Sequence, residues 1–470
     1  MSAQPTPDTI DTFLRDAVVV YRSSEAPDPA RWASAGAFRD SHNTVSRWSI
    51  YTAAVCGDVD AVRYWLEQQP ELLNIRGGSH QWEPLMYAAY SRLDGPSTYH
   101  VAKFLIERGA DPNAMERVDN HYRFTALTGV FGHGEGGTVR QPAHPDCEKF
   151  ARLLLDAGAH PNDSQATYNR MFTPDNLCLE LLLEYGLNDQ HQNNWTLEDG
   201  EPHPQKTLQY QLDYAIERGF SARVSLLLNA NVGLQYLSDG QSPWKRAMLA
   251  GRNDYARWFE AKGAIEEVLT PAEQLVNKVL SADGAGALTL MNSHTNLVSE
   301  VKKTHADIAE KAIQLEEVAA LELVLALELD PGLHHGHTAA HKAAYNGRVD
   351  MLRVMRDAGV DLTVRDHHYC VPPVGWALHA GESEAVAFLD QCDMDPFTAA
   401  ARDNVDRLAM FIDTTPALLQ MTFGDFLIQA GRTDTEDVAL ASRTLLDFAI
   451  GSGSAAAETY LKEQGAAHTQ

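Results

Sequence analysis

The sequence predicts an all-α chain, an α-solenoid of about ten or eleven helix–turn–helix units that allows a break or bend near its middle. Three observations carry this. The chain has 470 residues, more than one ordinary globular core accommodates. Glycines that stop helices recur at a steady distance, 32 residues from Gly219 to Gly251 and 34 from Gly347 to Gly381. Small residues recur just before them, as in Ala343-Ala344 ahead of Gly347. A repeat in which each unit leans on its neighbours satisfies all three.

Residues 1–45 are polar and proline-bearing at the start and are expected to form a helical cap over the first unit. From residue 46 the same grammar recurs. It reads IYTAAVCG at 50–57, LMYAAY at 85–90, FLIERGADPN at 104–113 and LLLDAGAHPN at 153–162. LDYAIERG follows at 212–219, PWKRAMLAG at 243–251 and LDFAIGSG at 446–453. The segments LEQQPELL (66–73) and IDTTPALL (412–419) replace the terminal glycine by proline. Two polar insertions interrupt the N-terminal array (46–265), at 132–146 and 189–206. Loops this long within a compact fold are often functional. Residues 266–333 read as an irregular helical connector with degenerate repeats. Residues 334–470 form a second array and cap, and the tail GAAHTQ is expected to be disordered.

Residues 336–366 (GHTAAHKAAYNGRVDMLRVMRDAGVDLTVRD) resemble an ankyrin repeat over its full length. Thr338 to His341 stands where that family has T-P-L-H, with Ala339 in place of the proline. The resemblance implies a binding scaffold whose inner helices face a groove. The residue before each small pair and the two after it then point into that groove. This places Tyr87, Tyr90, His133, Asn169, Phe172, Tyr214, Tyr345, Trp376 and His379 on the concave face. Aromatic residues there supply large contact area at low entropic cost. The resemblance also implies a protein partner, with a small molecule as the lesser expectation.

Composition narrows the classes. Sixty-four acidic against 38 basic residues give a net charge of −26. Nucleic-acid binders carry basic patches, and the longest basic cluster here is a pair such as Lys302-Lys303. Neither nucleic acid nor an anionic membrane surface is expected as a partner, although a basic partner would suit the charge. No apolar run approaches the roughly 18 residues of a membrane span. The N-terminus lacks the charged and apolar regions of a secretory signal. Five cysteines without a C-x-x-C pair suit a reducing compartment. A cytoplasmic protein without a cofactor is the expectation.

Two constellations could carry chemistry. His133, Glu135, His144 and Asp175, with Asn169, form a candidate acid–base pocket on the N-terminal array. Cys147 with His144 or His133 is a candidate nucleophile–base pair. His335, His337, His367 and His368, with Asp366, lie in successive loops that stack in a repeat protein, and are candidate metal ligands. The run GHGEGG (132–137) lacks the Lys-Ser/Thr ending of a phosphate loop.

Overall fold

The computed structural model describes residues 6–21, 29–119, 121–197, 200–430 and 438–466. The tail residues 467–470, for which disorder was expected, lie outside them, as does part of the expected N-terminal cap. The described residues are mostly helical. They divide into two compact units. The first runs to Ala247 and includes Asp254–Glu266, and the second comprises Met248–Asn253 and the chain from Glu267 onward.

In the first unit the inner helices are Ile50–Val55, Pro84–Tyr90, Ala126–Phe131, Ser164–Met171 and Thr207–Arg218, and each packs on the next in chain order. Capping chemistry sets where they start. Ser49 and Thr125 each close a capping box with the threonine three residues on, and Asp163 caps the fourth inner helix by accepting from the Ala166 amide. Asp163 also accepts from the Thr125 and Thr128 hydroxyls of the preceding unit. The cap that starts one helix therefore ties it to its neighbour. Gly219 stops Thr207–Arg218 at φ 72°, a left-handed conformation that favours glycine. Pro70 and Pro416 instead open short 3₁₀ turns after helices ending at Gln68 and Thr414.

The carbonyls at the inner-helix ends are satisfied by buried arginines. Arg92 donates to Gly129 O (2.6 Å), Ser91 O (2.8 Å), Pro142 O (2.9 Å) and Ala89 O (3.2 Å). Arg170 donates to Phe131 O at 3.0 Å. Arg223, 2% exposed, donates to Met171 O, Thr173 O and Asp175 O at 2.7–2.9 Å.

Among the described residues a two-stranded sheet departs from an all-helical chain. Met115–Val118 and Tyr122–Thr125 form a two-stranded antiparallel hairpin, with Met115 opposite Thr125 and Val118 opposite Tyr122. Its β-branched and aromatic residues suit a pleated surface.

The second unit has a continuous apolar core through the helices Pro271–Leu280, Ile308–Leu315, Val318–Ala326, Ala339–Tyr345 and Val349–Asp357. A further cluster gathers around Phe397 and Phe423. His341 is fully buried. Its Nδ1 accepts from the Thr338 amide and its Nε2–H donates to Val371 O of the next loop at 3.1 Å. Arg365 joins successive units in a buried fork onto Asp395 and Thr398.

Candidate binding site

The two insertions converge. The segment 132–146 folds onto itself through a short helix, Gly137–Arg140, and Gln141 Oε1 accepts from the Gly136 amide at 2.8 Å. The described part of 189–206 doubles back, with the bridges Gln192↔Lys206 and Thr196↔Pro202. Asn194 pins it to the fourth inner helix, its amide donating to Ser164 Oγ and its side chain to Asn162 O, both at 2.8 Å. The Thr196 amide meets His121 O at the hairpin tip. Near the N-terminus, Val19 N donates to Tyr90 O (2.9 Å) and Arg92 N to Ala17 O (2.9 Å), which lays residues 18–21 along the end of the second inner helix.

These segments enclose a half-open cavity of about 870 Å³. Tyr21, Tyr122, Phe124, Tyr168, Trp195 and Tyr210 form its aromatic wall, and Gln141, Gln165 and Asn169 its buried polar wall. Glu135, Asp119 and Arg117 stand at the exposed edge. Trp195 is the hub. Tyr168, Tyr122 and Tyr210 meet it edge-to-face, with ring centroids 5.0, 5.5 and 6.2 Å away. Tyr21 stacks on Phe124 at 5.2 Å, and burial pushes its hydroxyl up to about 12. The Tyr168 hydroxyl donates to Glu135, and burial and that carboxylate together raise its pKa. Gln165 Nε2 donates to Asn169 Oδ1 at 2.9 Å. Gln165 Oε1 and Asn169 Nδ2 have no partner among the described residues. A concave space of this size, lined by aromatic rings and by a larger share of polar surface, has room for a ligand group.

The residues expected at the site fall in several places. Asn169 lines the cavity. Phe172 and Tyr214 extend its aromatic run beyond Tyr168, at centroid distances of 5.1 and 5.8 Å. Tyr87 and Tyr90 must be corrected as groove surface, because both are fully buried. The Tyr87 hydroxyl donates to Gly77 O and accepts from the His80 amide, and Tyr90 donates to Thr125 O. The N-terminal segment covers them, with Tyr21 set edge-on to Tyr90. In the second unit Tyr345 is exposed and lies 6.1 Å from Trp376. Trp376 donates to Asp366, and His379 is exposed.

The expected acid–base set does not assemble. Glu135 faces the cavity, but His144 is buried away from it. His144 Nε2–H donates to Thr98 Oγ1 (2.8 Å), and its Nδ1 accepts from the Asp146 amide (3.0 Å). The neutral ring is fully satisfied, and burial, aided by Arg92, lowers its pKa to about 3. Asp175 pairs with Arg170, which also meets His133 Nε2 at 3.4 Å. Burial and then Arg170 lower His133 to about 4. Burial pushes the Cys147 thiol up to about 11, opposite to the lowering that activates a thiolate. The metal expectation is corrected too. Asp366 is occupied by the His368, Tyr369 and Val371 amides, and His337 turns to Glu310 at 3.2 Å. Among the described residues no group of three or more His, Cys, Asp or Glu could hold a metal ion.

The neutral histidines carry a pH consequence. His144 stays neutral in the fold, whereas in the unfolded chain it gains a proton below pH 6.5. Its contribution is complete above that pH and is lost toward about pH 3, at about 1.4 kcal/mol per pH unit. His341, lowered to about 4 mainly by burial, acts likewise in the second unit. His144→Gln is expected to flatten the fall in the urea midpoint between about pH 7 and pH 5, and equal slopes in both proteins would refute this.

Helix pairs joined through capped loops carry a cavity built on their insertions. The family model of the ankyrin repeat matches residues 80–117. A segment is 29% identical over 102 residues to the E3 ubiquitin-protein ligase KEG of Arabidopsis thaliana. That segment is 21% of this chain, and the match spans only 6% of the ligase. The human ASB11 ankyrin repeat domain is 17% identical, covering 45% of this chain and 92% of that domain, with a TM-score of 0.21. No described helix is long and apolar enough to cross a membrane.

Proposed function

We propose that the protein is a cytoplasmic interaction scaffold of ten or eleven ankyrin units, and that it holds a segment of a protein partner in the cavity of its first unit. The convergence of both insertions on one aromatic cavity carries this reading. Ankyrin repeats generally serve protein interaction. The additions to the repeat pattern are what build the cavity, so a specific contact belongs there. Asn169, Phe172 and Tyr214 serve that contact, with His133 behind it, and Tyr345, Trp376 and His379 offer a second surface on the other unit. Cys56, Cys147, Cys178 and Cys392 are free thiols, which fits a reducing compartment.

The test uses position 122, whose side chain is 40% exposed at the cavity rim. Tyr122→benzoylphenylalanine is expected to photo-crosslink the full chain to a discrete protein in its native cell. The same probe at Tyr64, 58% exposed and outside the cavity, is expected not to. Identical products from both positions, or no protein product at 122, would sink the proposal.

A further inference from the structure

We propose that the first-unit cavity takes a basic side chain of the partner, with a guanidinium as its best match. This rests on the reading of the cavity as a partner site and names the chemistry it selects.

Ring faces carry negative potential, and a cation over Trp or Tyr within about 6 Å is attracted to it. Six aromatic residues line this cavity, with Trp195 at their centre. Charge at the rim points the same way, since among the described lining residues Glu135 and Asp119 face one cation, Arg117. Glu135 is exposed, and its carboxylate is steadied by the Tyr168 hydroxyl. Gln165 Oε1 adds an acceptor, beside the Asn169 Nδ2 donor, that has no partner among the described residues. A guanidinium stacks on aromatic faces and presents a planar fork of donors, and it can use rings, carboxylate and amide oxygen together. The net charge of −26 draws basic partners at longer range. Two further cations, Arg92 and Arg170, do not line the cavity. Arg170 is paired with Asp175, and Arg92 is spread over four backbone carbonyls.

Selection by the cavity must be separated from general attraction to an acidic protein. The probe is a short Gly–Ser peptide with central arginines, titrated by calorimetry into the full chain at low salt. Its counterpart carries citrulline, which keeps the shape and loses the charge. The arginine peptide is expected to bind, and the citrulline peptide roughly tenfold or more weaker. Glu135→Gln should weaken arginine binding roughly tenfold. Glu71→Gln removes one exposed charge of the same unit outside the cavity and should leave binding unchanged. Equal binding of the two peptides, no binding of either, or equal loss in both variants would overturn the inference. A protein crosslinked through position 122 whose seated segment lacks Arg and Lys would also overturn it, while leaving the scaffold function standing.

Discussion

Replacing Arg223 with methionine is expected to destabilise the first unit by about 3–5 kcal/mol, the usual loss when one partner of a buried charged network is removed. The change keeps much of the side chain's volume and its apolar stem, so packing is not the main loss. What disappears is a donor set. The guanidinium reaches Met171 O at 2.9 Å, Thr173 O and Asp175 O at 2.7 Å, and Asn176 Oδ1 at 3.0 Å. These acceptors lie in the turn after the fourth inner helix, where no further helical turn satisfies them. Burial lowers the Arg223 pKa to about 10, and it remains charged near neutrality. Methionine would leave buried acceptors dry, and each unsatisfied one costs about 1–3 kcal/mol. Urea unfolding followed by far-UV circular dichroism measures this. A loss below about 1 kcal/mol would show that water reaches the turn and that the arginine does not hold it. Arg223→Lys should recover only part of the stability, since an ammonium cannot present the fork.

How much of this was legible in the sequence depends on how local each cause is. Glycine stops, threonine caps and paired small residues act within one unit, and the inner helices start at Ser49, Thr125 and Thr338 much as their motifs indicate. The fourth inner helix departs from that pattern, because Asp163 rather than a threonine is its cap. Counted from Asp163 as Lys342 and Tyr345 are counted from Thr338, the groove positions of this helix are Thr167 and Arg170, so Tyr168 and Gln165 reach the cavity from positions that the repeat register does not mark. Tyr87 and Tyr90 stand at the same positions after their cap, Glu83, as Lys342 and Tyr345 do after Thr338. Tyr345 is exposed, whereas Tyr87 and Tyr90 are covered by a segment some seventy residues earlier in the chain. No local pattern announces such a cover. Trp195 was missed for a related reason. A lone tryptophan in a polar insertion is a signal, but only the folded path of 189–206 carries it to Tyr168 and the hairpin.

Gly129→Ala should destabilise the first unit even though it places a better helix former in a helix interior. Gly129 lies within Ala126–Phe131, where alanine is ordinarily favoured over glycine by about 1 kcal/mol. A Cβ at this position would stand 2.2 Å from Cδ2 and from Cε2 of Tyr90. Tyr90 cannot swing aside, because its hydroxyl is held by Thr125 O and its ring packs against Trp82 at 4.8 Å and Tyr21 at 6.2 Å. Overpacking of this kind costs about 1–3 kcal/mol, and more where the neighbour is fixed. A net loss of about 2 kcal/mol is expected once the helix preference is deducted. The decisive measurement is a double-mutant cycle. Tyr90→Ala alone should cost about 3–5 kcal/mol, as for other buried aromatic residues. In that background Gly129→Ala should turn neutral or stabilising, because the ring that forbids the methyl is gone. If Gly129→Ala costs the same with and without Tyr90, the close approach of ring and helix is not what keeps a glycine there. The burial of Tyr90 behind the cavity wall would then need another cause.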